Sequence, residues 1–299
     1  MNRLRVGVVA ALLAWTALAW RLEVQPRWTQ RVPPDWTWRA HFVGVETWPN
    51  PETGELPLKD SLGVYDRALS IKTRSATNDA VVLEDRYSVR DPSTGRVMWQ
   101  HVLEASVDPR TGALQDAAHA GQIFLFPRDV ARRTYTIRNT YLPGIPVAFE
   151  REDDIAGLTT WVFSYRGRAD LTAAYARTDE VEGIEVAPTE VIRCADDQYV
   201  YRVWVEPVTG EVVKLEESCY SGTYLYDRAT GTRGIAVDRF GGITAGDDVL
   251  ARAQSVRRER LRYLLASRVI PGGFGGAALV CLGIVLVQGR RTAPEVQPA

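Results

Sequence analysis

The stretch LEDRYSVRDPSTGRVMWQHVL, residues 83–103, decides the fold. Leu83, Tyr87 and Val89 recur at even spacing before the segment Asp91-Pro92-Ser93-Thr94-Gly95, and Val97, Trp99 and Leu103 do so after it. A two-residue apolar period sets one row of side chains on one face of an extended chain, so each arm reads as a strand with a buried face. The phrase between the arms is a turn signal. Proline presets φ at the second turn position, the acid accepts a backbone hydrogen bond, and glycine takes the positive φ that closes a bulged hairpin.

The same phrase returns as Asn50-Pro51-Glu52-Thr53-Gly54, Asp108-Pro109-Arg110-Thr111-Gly112, Glu206-Pro207-Val208-Thr209-Gly210 and the variant Asp227-Arg228-Ala229-Thr230-Gly231. Unequal spacing makes these separate hairpins and not the repeats of a solenoid. The two-residue period recurs at Thr159, Trp161, Phe163 and Tyr165, and again at Tyr199, Tyr201, Val203 and Val205. Helical periodicity is scarce before Asp247. The expected fold is therefore mainly β, a large antiparallel domain over residues 24–245, barrel-like or sandwich-like.

Two apolar segments lie outside that domain. Val269 to Val287 offers 19 residues without a charge; at about 1.5 Å per residue it matches a bilayer hydrocarbon core, so residues 269–289 read as a transmembrane helix and 290–299 as a cytoplasmic tail opening with Arg290 and Arg291. The alternative is a buried core helix. At the other end, residues 1–23 hold an apolar run of 15 residues between Arg5 and Arg21. Thr16-Ala17-Leu18-Ala19 has the small-x-small form of a signal-peptidase site, so this segment is an uncleaved anchor or a cleaved signal. Either way Arg3 and Arg5 start inside and the following chain is delivered outside. The expected location is the cell membrane, with two passes and the bulk of the chain extracytoplasmic. Arg252, Arg257, Arg258, Arg260, Arg262 and Arg268 count against this orientation, but long domains translocate largely regardless of charge.

Residues 246–268 form the expected juxtamembrane helix. Asp247 or Asp248 can cap it, and Val249, Leu250, Ala253, Val256, Leu261, Leu264 and Leu265 fall near one face. Its six arginines suit a helix lying on anionic headgroups before turning at Pro271 into the bilayer, or else a solvated stalk. Trp28, Trp36 and Trp38, among Pro26, Pro33 and Pro34, suit either headgroup contact or packing on the domain.

The formal charge of −1 hides a division. Residues 251–299 carry +6, leaving −7 for residues 1–250. An acidic domain makes nucleic acid an unsuitable partner, since phosphate neutralisation needs a basic face. Of three cysteines, Cys281 lies in the membrane segment, so the soluble part holds the pair Cys194 and Cys219. A lone pair in a translocated domain favours a disulfide, the alternative being two separate buried thiols. These cysteines and the scattered His41, His101 and His119 have no zinc-ligand spacing. Nucleophile elbow, metalloprotease, phosphate-loop and dinucleotide motifs are absent from the sequence, so no catalytic residue, metal or cofactor is assigned and no enzyme is expected. The run Glu150, Glu152, Asp153 and Asp154 reads as a solvated loop between strands, with carboxylate chemistry as its alternative.

The stretch Arg133-Thr134-Tyr135, Pro146-Val147-Ala148-Phe149-Glu150, Gly157-Leu158-Thr159-Thr160-Trp161-Val162-Phe163 and Val203-Trp204-Val205-Glu206-Pro207-Val208-Thr209-Gly210 resembles the PorA-type family of actinobacterial envelope proteins. The resemblance implies a cell-envelope role and a barrel-like β domain proposed to hold lipid or lipoglycan, and it brings no catalytic residues. The leading expectation is thus a membrane-anchored protein that binds or presents lipid or lipoglycan intermediates. An oligomeric channel, or a scaffold or sensor for other envelope membrane proteins, is the alternative.

Overall fold

The computed structural model describes residues 3–25, 32, 36–57, 66–77, 79–91, 93–115, 121–139, 142, 144–175 and 185–290. Pro26, Trp28, Pro33, Pro34, Pro92, His119, Arg291 and the rest of the tail lie outside the described residues. The chain divides into two compact units, residues 31–257 and residues 1–30 with 258–299.

Among the described residues the larger unit holds twelve strands: β1 (Thr37–Thr47), β2 (Asp66–Ala76), β3 (Val81–Arg90), β4 (Val97–Val107), β5 (Gln122–Ile123), β6 (Tyr135–Arg138), β7 (Ile145–Ile155), β8 (Leu158–Gly167), β9 (Glu190–Cys194), β10 (Tyr199–Val205), β11 (Val212–Asp227) and β12 (Arg233–Thr244). They join in the order β4-β3-β2-β1-β12-β11-β10-β8-β7-β6-β5, with β9 added on β11. All pairings are antiparallel except β5 with β6. The hairpin of residues 83–103 is β3 and β4, in the register Asp85 to Leu103 and Val89 to Trp99. Single bridges from Val107 to Leu114 and from Ala113 to Gln122 bring the two ends of the path together. The sheet is therefore a nearly closed barrel and not a sandwich, and closure removes the exposed edges an open sheet would leave.

The five turn phrases share one geometry. In each, the glycine has φ between +69° and +74°, and its N–H donates to the carbonyl of the first residue at 2.8–2.9 Å. The first side chain accepts from the third residue's N–H, as in Asp91 Oδ1 with Ser93 at 2.8 Å and Asp108 Oδ1 with Arg110 at 2.7 Å. The threonine hydroxyl accepts from the residue after the glycine. Each loop thus meets its own backbone hydrogen-bonding needs within six residues.

β11 runs for 16 residues and pairs β10, β12 and β9. Such a strand must bend, and it does so at Tyr220–Gly222, where its register with β12 shifts between Cys219 and Thr223. The disulfide sits beside this bend: Cys194 ends β9 and Cys219 precedes the shift, with Cα atoms 5.7 Å apart. Closing the 25-residue interval stabilises the fold by about 3–4 kcal/mol on the loop-entropy argument.

Two expectations are corrected. The acidic run is not a loop: Glu150, Glu152, Asp153 and Asp154 lie within β7, and the turn to β8 is only Ala156-Gly157, both at positive φ. A strand tolerates these charges because cations and donors face them, Arg202 on Glu150, Arg132 on Glu152 and the Trp204 indole on Asp153. The helix does not turn at Pro271 either. Helix α2 (Gly246–Leu264) passes through a widened π turn, Leu265–Val269, into α3 (Ile270–Arg290). Proline has no N–H to donate and its ring crowds the carbonyl four residues earlier, which the wider turn accommodates.

In the smaller unit, α1 (Arg3–Ala19) continues through a π turn, Trp20–Val24, and packs along α3. The Trp20 indole donates to the Ala266 carbonyl at 3.0 Å. Val6–Val24 and Gly246–Val287 are each long and apolar enough to cross a membrane.

The loops give a graded stability test. An added Cβ at Gly95 meets open space, whereas at Gly210 it falls against the carbonyl oxygens of Phe126 and Pro127. Gly95→Ala is expected to cost about 1 kcal/mol from its left-handed φ alone, and Gly210→Ala about 3 kcal/mol with the added overlap. Urea unfolding of the full chain in mild detergent measures both.

Candidate functional site in the barrel interior

β10 begins the site. Tyr199, Tyr201, Val203 and Val205 all point into the core, none more than 1% exposed. Tyr201 stands opposite Tyr165 of β8 and Glu217 of β11, and directly opposed residues share a face. The Tyr199 hydroxyl donates to Glu217 Oε1. Asn139 Nδ2 donates to both, at 2.8 Å to the hydroxyl and 3.0 Å to the carboxylate. The Asn139 Oδ1 is held by the Leu142 N–H at 2.7 Å.

A second group lies where β11 meets β12. Thr223 and Asp238 are register partners, the threonine hydroxyl donates to Asp238 Oδ1, and Tyr175 donates to Oδ2 at 2.6 Å. Two further inward acids, Glu46 of β1 and Asp85 of β3, bring the buried carboxylates here to Glu46, Asp85, Glu217 and Asp238, each at most 4% exposed. Around them pack aromatic rings: Phe126 with Phe163 at 5.0 Å, Tyr135 with Phe163 at 5.5 Å and Trp38 with Phe124 at 5.4 Å.

Burial pushes the Tyr199, Tyr201 and Tyr175 phenols well above their usual value near 10, and neighbouring carboxylates push them further: Glu217 for Tyr199, Glu217 and Asp85 for Tyr201, Asp238 and Glu46 for Tyr175. Both effects disfavour phenolate. The Tyr175 and Tyr199 phenols are therefore fixed donors in a polar layer within an apolar barrel, able to exchange hydrogen bonds with hydroxyl or headgroup oxygens. Burial, followed by the charge of Arg138, also holds His101 below its ordinary value. Among the described residues no group of three or more His, Cys, Asp or Glu side chains is placed to hold a metal ion.

The six arginines predicted for a membrane surface divide. Val249, Ala253 and Val256 of α2 pack on Leu158 and Val213, on the outer face of the sheet. That docking directs Arg252 onto Glu211 and the Val212 carbonyl, and Arg257 onto the Ala156 carbonyl. Arg258, Arg262 and Arg268 are exposed and Arg260 is half-buried. Leu250, Leu261 and Leu265 stay exposed, so the helix buries a narrower stripe than its periodicity suggested. Asp248 accepts from the His41 N–H at 2.6 Å and faces the His41 ring at 3.0 Å, tying the helix start to β1. Trp36 and Trp38 are core residues, the latter donating to the Val212 carbonyl at 3.2 Å.

A nearly closed β barrel on a chain with two helices able to cross a bilayer fits a membrane protein with a barrel-like domain. The sequence model of one family covers almost all of that architecture. The chain belongs to the Porin PorA family, whose model matches residues 4–287. No curated protein matches it.

The two core tyrosines separate hydrogen bonding from packing. Tyr199→Phe is expected to cost about 1–3 kcal/mol because Glu217 loses a buried donor. Among the described residues the Tyr201 hydroxyl has no hydrogen-bond partner, so Tyr201→Phe should be neutral or stabilising in the same unfolding assay. Because these phenols titrate higher folded than unfolded, stability is full below pH 10 and falls above it. Absorbance at the phenolate band should show Tyr175, Tyr199 and Tyr201 ionising only as the protein unfolds.

Proposed function

We propose that this is a two-pass cell-envelope protein whose barrel domain lies on the extracytoplasmic side and binds or presents lipid or lipoglycan intermediates. The carrying observation is a disulfide-bonded barrel lying in sequence between two helices able to span a bilayer. Disulfides persist in oxidising compartments. Arg3 and Arg5 in the first turn of the first helix and Arg290 at the end of the second favour the cytoplasmic side for those two helix ends. Exposed Arg258, Arg262 and Arg268 suit anionic headgroups.

The barrel offers both halves of a lipid what they need, apolar surface for a chain and the tyrosine–carboxylate layer for polar oxygens. Entry falls at the seam between β4 and β5, where single bridges replace continuous strand pairing. A chain entering there displaces part of the buried aromatic set. The reading assigns no reaction to the domain. Its partners are membrane lipids or lipoglycan and other envelope membrane proteins.

A channel is the second reading, favoured by the family's description as a porin. Tyr87, Phe126, Phe163, Tyr199, Tyr201 and Phe240 fill the barrel interior, so a pore would be lined by helices of several copies. Added Cβ atoms at Gly272 and Gly276 meet nothing within 4 Å, leaving that G-x-x-x-G face open to a second copy.

Topology is tested in intact cells with a Cys281→Ser variant: Cys194 and Cys219 should resist maleimide until a reductant is added, and free thiols would place the domain in the cytoplasm. Organic extraction of the full chain, purified in mild detergent, should release bound lipid by mass spectrometry. Preparations that carry none and take up none refute the lipid reading. Ion conductance from an oligomer in planar bilayers would favour the channel.

A further inference from the structure

A pocket of about 300 Å³ opens away from the barrel interior, lined by Arg168, Ala169, Asp170, Val191, Arg193 and Arg228. Three segments build it. The chain leaving β8 supplies Arg168 to Asp170 and is pinned to β9 by the Leu171 N–H on the Ile192 carbonyl at 2.8 Å. β9 supplies Val191 and Arg193 from one face while Ile192 and Cys194 of the other face enter the core. Arg228, in the last of the five turn loops, is fixed by its N–H on the Thr189 carbonyl at 2.7 Å.

Arg193 makes this more than a surface cluster. It is 7% exposed, and among the described residues its Nε makes no hydrogen bond and no carboxylate pairs with it. Among the described residues it lies over the Tyr226 ring, 4.1 Å from the guanidinium carbon to the centroid. Cation–π attraction offsets only part of the cost of burying a guanidinium, which calls for an anion. The lining holds three guanidinium groups and one carboxylate. Asp170 is already engaged, Oδ1 by the Thr172 N–H at 3.0 Å and Oδ2 by both terminal nitrogens of Arg228 at 3.3 Å. Arg168 approaches Asp197 only at 3.8 Å. The lining thus carries a net charge of +2 within residues 1–250, whose sum is −7.

We infer that this pocket is an oxyanion site for a phosphate group, carried by a small phosphate ester or by a phospholipid headgroup. Guanidinium groups match phosphate oxygens in charge and geometry, and the volume accommodates a phosphate with a glycerol- or sugar-sized substituent. The site is separate from the barrel interior, and the inference stands without lipid binding there.

The test is calorimetry on the full chain in non-ionic detergent, titrated with inorganic phosphate, with sn-glycerol 3-phosphate and with phosphatidylglycerol doped into the micelles. Binding of glycerol 3-phosphate with at least tenfold loss in Arg193→Met, and tightening in Asp170→Asn, supports the site. Binding of phosphatidylglycerol alone, with the same dependence on Arg193, supports it and identifies the headgroup as the source. Arg168→Gln, at an exposed position, supplies the weakened variant should Arg193→Met unfold. No heat with any of the three probes overturns the inference, as does binding unchanged in both arginine variants. A barrel that carries lipid while these variants bind phosphate normally would leave the function proposed above standing and this one refuted.

Discussion

β11 is the element on which the rest depends. It pairs β10 and β12 within the barrel wall and β9 beyond it, and an untwisted strand of 16 residues cannot follow such a wall. Irregularities in its register resolve the conflict, two of them with visible consequences. Near its start the register with β10 shifts between Trp204 and Val205, leaving Val213 as the extra residue. Val212 then enters the core while Val213 turns outward beneath α2. Further on, the bend at Tyr220–Gly222 frees the second half of the strand to accept β9. Without the first irregularity α2 would lose the Val213 contact, and without the second β9 would have no strand to join.

Those same irregularities determine what each face of the barrel can do. Inward positions of β11 deliver Leu215, Glu217 and Cys219, one apolar, one acidic and one cross-linked. The outward positions deliver Lys214 onto the Trp204 ring and Glu216 onto Arg202. The interior acid Glu217 accepts from Tyr199 and Asn139 at its Oε1, so the polar layer is supported by donors that cannot ionise in the neutral range. A half-satisfied layer would be less stable than an all-apolar core. Its maintenance inside an otherwise aromatic barrel argues for a role beyond packing.

The hairpins were legible because their loops are local: five phrases carry every residue type their hydrogen bonds require. The apolar ends and the cysteine pair were legible for the same reason, each being a short signal. Barrel against sandwich was not, since closure rests on β1 meeting β12 nearly 200 residues later. The interior acids were hidden because periodicity assigns a face but not its cover. Asp85 shares the inward row of Leu83, Tyr87 and Val89 in the stretch that decided the fold, yet in sequence it looks like any surface aspartate. Leu158 was missed beside Trp161 and Phe163 because α2 packs on it from the outer face of β8. Glu217 and Asp238 meet phenols 18 and 63 residues away, which no local pattern announces.

The self-contained loops also bear on how the barrel assembles. Three of them close the neighbouring pairs β3–β4, β10–β11 and β11–β12, so these hairpins need little chain to be gathered before contacts form. The β1–β12 pairing spans most of the chain and carries the largest entropic cost of closure. Folding therefore starts from preformed corners and ends at a long-range join. Changes in the turn phrases should act mainly on the folding rate, and changes along the β1–β12 border mainly on unfolding.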